Sequence, residues 1–107
     1  MPESPFLAMK QVETHIRTLL RDVDIHELAV DKKKAVTRLR RLSMEVRLDI
    51  RDYELSETRT EQLVKLQVAR RQITQVQASL LSIGDMLSPA DVAHLSAQLE
   101  YINGRLI

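Results

Sequence analysis

Residues 66–87 read LQVARRQITQVQASLLSIGDML, and within them Leu66, Ala69, Ile73, Val76, Leu80, Ile83 and Leu87 recur at alternating steps of three and four. That is an unbroken heptad seam, the pattern of a helix laying one narrow apolar edge along another. Such an edge requires a partner helix. The segment upstream, about 25–55, carries Ile25, Leu28, Ala35, Leu39, Leu42, Val46 and Tyr53 at matching steps, interrupted by Lys32 and Asp49. The middle of the chain therefore reads as a long antiparallel helical hairpin, with its turn at about 56–58. Ser56, or Thr58 with Glu61 three residues on, supplies the cap of the returning helix. Gly84 is expected to end that helix as a left-handed cap.

Shorter helices flank the hairpin. Ser4-Pro5 is a helix start, with a hydroxyl at the cap and proline at the first helical position. Met9, Val12, Ile16, Leu19 and Val23 then form one stripe. The stripe that follows is out of phase with it, so a break is expected near 22–25, where Asp24 and Glu27 have capping-box spacing. One continuous helix over 5–55 is the alternative. Ser88-Pro89 repeats the start signal ahead of Val92, Leu95, Leu99, Ile102 and Leu106, and Asn103-Gly104 is expected to fray the end. The prediction is an all-α antiparallel bundle, helices about 5–23, 25–55, 57–84 and 89–104, forming a single domain over 1–107.

Composition agrees. The chain has 107 residues, 44% of them hydrophobic, with only two Gly, three Pro and three aromatic residues, so aliphatic helix-to-helix packing must supply the core. There is no cysteine, which removes disulfides, thiolate metal sites and thiol nucleophiles. The first residues lack the basic start and apolar run of a secretory signal, and no stretch of about 18 apolar residues occurs. A cytoplasmic location is the expectation.

The helices run short, long, long, short, so the two long ones are expected to outrun their companions around 48–66. An excess of ten or so residues is roughly 15 Å of projecting hairpin. Met44, Leu48, Leu55, Val64 and Val68 lie away from the hairpin seams on a helical wheel, and apolar residues on a thin projection need cover. They are the candidate partner or homodimer interface.

Net charge is +1 but blocked. Residues 1–31 hold three bases against six acids, whereas 32–51 hold eight bases against two acids. Lys33, Arg40, Arg47 and Arg51 share one quadrant of the wheel, flanked by Lys34 and Arg41, and the first three lack an acid at i±3 or i±4. Such arrays bind phosphate backbones. Pairing with acids such as Glu13, Asp22 or Glu27 is the alternative, and the scarcity of aromatics disfavours base stacking.

Catalytic signals are missing. No nucleophile, base and acid fall into a known motif, and the two glycines are isolated, so no phosphate-cradling loop forms. Lys32 and Asp49 are the polar positions that interrupt a stripe. His15 and His94 stand alone on their helices, and Asp22 with His26 would need a continuous helix to become neighbours. No metal, cofactor or small-molecule substrate is inferred, and a membrane-surface role is disfavoured because heptad packing claims the apolar faces. The sequence thus points to a small non-enzymatic interaction module, adaptor, helical chaperone or assembly factor, self-associating through the hairpin tip. A nucleic-acid-associated accessory protein using the basic stripe of residues 33–51 is the alternative.

Overall fold

The computed structural model describes residues 4–106 and is all-α. Four helices, α1 (Pro5–Leu20), α2 (Val30–Glu54), α3 (Arg59–Ser82) and α4 (Pro89–Arg105), are joined with two one-turn 3₁₀ segments, Ile25–Glu27 and Gly84–Met86. Among the described residues no helix is long and apolar enough to cross a membrane.

Three of the four starts are capped as the residue types dictate. The Ser4, Thr58 and Ser88 hydroxyls accept from the backbone N–H groups of Leu7, Glu61 and Asp91 at 3.1–3.2 Å, satisfying donors that have no intrahelical partner. Asp24 does cap, but what it caps is the 3₁₀ turn, accepting from the His26 N–H at 2.9 Å. The break between the first two helices is therefore longer than the phase shift implies, running from Arg21 to Ala29, and a continuous 5–55 helix is excluded. Val23, Ile25 and Leu28 explain the length: all three fold back onto the core instead of continuing a helix.

Two further boundaries differ from expectation. Gly84 has no positive φ and so is not a left-handed cap. The end of α3 is closed by Lys32, whose ammonium donates to the Ser82 carbonyl and to Asp85 Oδ1 at 2.8 Å. A side chain from the start of α2 thereby satisfies an orphan carbonyl of α3. At the other end, Asn103 and Gly104 stay helical, because Ile102 and Leu106 on either side are fully buried and hold the last turn down.

The α2–α3 hairpin is the most extensive contact; its buried seam sets the register, which places Gln72 Nε2 by Glu45 (3.3 Å) and Lys65 by Asp52 (3.8 Å). The seam Leu66, Ala69, Ile73, Val76, Leu80 and Ile83 is buried throughout, while Leu87 lies past the helix end and is half-buried. α2 buries more than one edge. Val36, Ser43 and Ile50, seven apart, join Leu39, Leu42 and Val46, since α2 packs against α1 as well as α3.

The projecting tip takes a different form from the expected one. Glu13 pairs with Arg47, and the Leu20 carbonyl accepts from Arg40, so seven residues along α1 match seven residues back along α2. Extended at that pitch, Pro5 comes level with Leu55, and α1 flanks α2 to its end. The excess of α2 lies at the opposite pole, alongside the turn that carries Val23, Ile25 and Leu28. Only α4 stops short. Leu106 is level with Arg70, which donates to its carbonyl. The first 11 residues of α3, Arg59–Ala69, therefore extend about 16 Å beyond it.

Candidate interaction surface

The basic stripe divides between two faces. Arg47 Nε donates to Glu13, a carboxylate buried between α1 and α2 that also takes Arg17 at 2.8 Å. Arg40 Nη2 donates to the Leu20 carbonyl at 2.8 Å, closing the end of α1. Both guanidiniums are engaged in holding α1 on α2. Arg51 pairs with the neighbouring Asp52 at 3.2 Å.

The remaining bases look the other way. A cleft of about 700 Å³ runs between α2 and α3, bordered on one side by Lys33, Lys34, Arg38 and Arg41, with the single acid Asp31 at its end. Its opposite wall is Ala78, Ser79 and Ser82. Arg41 is pinned loosely to Glu45 (3.7 Å), whereas Lys34 and Arg38 make no ion pair among the described residues. Arg38 was not among the positions singled out from sequence. It lies four residues after Lys34 and three before Arg41, a spacing that was available but was masked by the more populous row through Lys33 and Arg47.

The apolar candidates also separate. Met44 sits in the crease between α1 and α2 with Ile16, Arg17 and Arg40. Leu48 and Val68 are half-buried, level with each other where α2 and α3 meet. Leu55 and Val64 are 70% and 55% exposed near the tip. Leu63, also exposed, was missed; it faces the side that α4 fails to reach.

Taken together, α2 and α3 each present a second heptad row, directed away from the bundle. On α2 its first half is Lys34, Arg38 and Arg41. Its second half is Glu45, Leu48, Asp52 and Leu55. On α3 the row is Val64, Val68, Arg71, Gln75, Ala78 and Ser82. Asp49 borders the acidic half. Burial pushes its carboxyl above the usual range, Lys65 opposes this, and Asp52 and Glu45 add to it. The polar interruption at Lys32 is the helix closure described above, and its hydrogen bond holds the Asp85 carboxyl below the ordinary range.

The histidines that stood alone in the sequence come together. His15 Nε2 lies 3.5 Å from Asp91 Oδ1, and the His15 and His94 ring centroids are 5.5 Å apart where α1 meets α4. No group of three His, Cys, Asp or Glu able to hold a metal occurs among the described residues. His26 lies in the 3₁₀ turn and Asp22 in the turn before it, so the i, i+4 relation imagined for them does not exist.

No model of a known protein family, no curated protein and no solved structure matches the chain.

Proposed function

We propose that this chain is a non-enzymatic helical interaction module that self-associates through the tip half of its central hairpin. The observation that carries the reading is the apolar surface of Leu55 and Val64, which no helix among the described residues covers, continuous with half-buried Leu48 and Val68. Burying a side chain of this kind gains about 1.5–3 kcal/mol. Two such residues per protomer, contributed twice in a symmetric pair, supply a gain of the same order as the entropic cost of association. Met44, 43% exposed, lies on the α1 side of α2 and so on a different face from these residues.

Sedimentation velocity over a concentration series tests it. The expected result is reversible dimerisation that tolerates salt and is weakened by Leu55→Glu or Val64→Glu, with the helical content of both variants unchanged. A strict monomer at about 100 μM, a concentration at which even a small interface associates, overturns the reading.

A nucleic-acid role rests on fewer charges than the stripe promised. Arg40 and Arg47 are engaged within the bundle, which leaves Lys34, Arg38 and Arg41 as the row able to meet phosphates. This second reading predicts salt-sensitive, sequence-blind binding lost in Arg38→Glu.

A further inference from the structure

We infer that the tip of one copy docks into the basic cleft of a second copy, so that the outer face of the α2–α3 hairpin forms a two-fold antiparallel interface with itself. The inference rests on the self-association proposed above and adds the partner surface and the register. Its warrant is that this face is self-complementary about its own midpoint in charge, in size and in level.

Charge comes first. Along α2 the outer row is basic in its first half, through Lys34, Arg38 and Arg41, and acidic in its second half, through Glu45 and Asp52. An antiparallel copy laid along this row about a point near Glu45 sets Arg38 opposite Asp52 and Lys34 opposite Leu55. Opposite charges across helices specify partner and orientation. The axis brings Glu45 beside its own copy, and the Arg41 of each chain, 3.7 Å from its own Glu45, offsets that repulsion.

Size is the second match. The α3 row is branched at the tip and small at the far pole, and reversal about its midpoint sets Val64 opposite Ser82 and Val68 opposite Ala78. Val64, Ala78 and Ser82 are exposed, and the small pair lines the wall of the ≈ 700 Å³ cleft. Protruding side chains meeting small ones is the packing that two-fold symmetry repeats at both ends of an interface.

Level is the third match. The midpoints lie near Glu45 on α2 and at Ile73 on α3. Gln72 and Glu45 are the residues joined across the hairpin at 3.3 Å. One axis therefore serves both rows. A slip of a single heptad on either helix would lose this agreement.

From Lys34 to Leu55 is about 32 Å of helix, and two adjacent helices are roughly 20 Å wide, so each copy contributes about 600 Å². The total, about 1,200 Å², lies at the lower edge of specific interfaces.

A charge exchange tests the register. Arg38→Glu and Asp52→Arg should each weaken homodimerisation about tenfold, because each sets like charges opposite twice per dimer. An equimolar mixture of the two variants should recover wild-type affinity as a heterodimer, since both cross pairs are again opposite in sign. In parallel, because the chain has no cysteine, Val68→Cys and Ala78→Cys chains can be mixed and oxidised. The mixture should cross-link, while either variant alone should not, its two thiols lying about 15 Å apart along the helix direction. Self-association that survives both charge variants, or Val68→Cys chains that cross-link alone, overturns this register while leaving the proposed module intact. A monomer that binds a labelled single-stranded oligonucleotide through Arg38 overturns both.

Discussion

Replacing Glu13 or Arg47 is the most direct test of how the basic stripe is used. Glu13 is 8% exposed and Arg47 26%, whereas Arg17, the other partner of Glu13, is 73% exposed. The outer arm is an i, i+4 surface pair, so Arg17→Ala should cost a few tenths of a kcal/mol. The inner arm differs. Removing one member of a fully buried pair costs about 3–5 kcal/mol, since the other charge is left without compensation. Arg47 retains some contact with water and Glu13 retains Arg17, which reduces the expectation to about 2–3 kcal/mol for Glu13→Ala or Arg47→Ala. For a 107-residue chain, unfolding entropy makes each kcal/mol about 4 °C in Tm, so either variant should melt roughly 8–12 °C below the parent. Replacing both residues by leucine should bring Tm back to within a few degrees, because no charge is then stranded. Far-UV circular dichroism melts of the parent and the four variants suffice. Arg47→Ala with an unchanged Tm, accompanied by loss of oligonucleotide binding, would refute the assignment of Arg47 to the α1–α2 contact and return it to a ligand surface.

Other expected outcomes follow from single positions. Ile50, fully buried on the α2 edge that faces away from α3's seam, should cost about 2–4 kcal/mol as Ile50→Ala, measured by chemical denaturation. Asp49→Asn should stabilise the fold near neutral pH, because burial raises the native carboxyl above its ordinary value of 3.8 and so penalises the ionised form. That advantage should shrink as pH falls through the raised native value and vanish below the ordinary one, which denaturation at the two ends of the range would reveal. Gly104→Ala, inside α4 with open space around the added carbon, should raise stability by about 1 kcal/mol. Gly84→Ala, at a negative φ and equally unobstructed, should be neutral or gain up to about 0.5 kcal/mol, whereas a left-handed cap would lose at least as much.

Local chemistry was legible because it depends on neighbours in sequence. Ser4, Thr58 and Ser88 cap for reasons contained within four residues, and the seam from Leu66 to Ile83 declares its own spacing. Gly84 misled for the opposite reason: the group that ends α3 is Lys32, fifty residues away in the chain. Arg40 and Arg47 looked like free surface charge because their partners, the Leu20 carbonyl and Glu13, sit on another helix. His15 and His94 looked solitary for the same reason.

Periodicity alone determined that this chain is four helices around a long hairpin, since an apolar residue every 3.5 positions has no other economical way out of water. It could not determine how far each helix slides along its neighbour. A stripe specifies which face is buried, and sliding by one turn leaves that face unchanged. The slide was decided by tertiary contacts: Glu13 with Arg47 draws α1 up to the tip, and Arg70 with the Leu106 carbonyl stops α4 short of it. Those two offsets, absent from any local pattern, leave Leu55 and Val64 exposed near the tip.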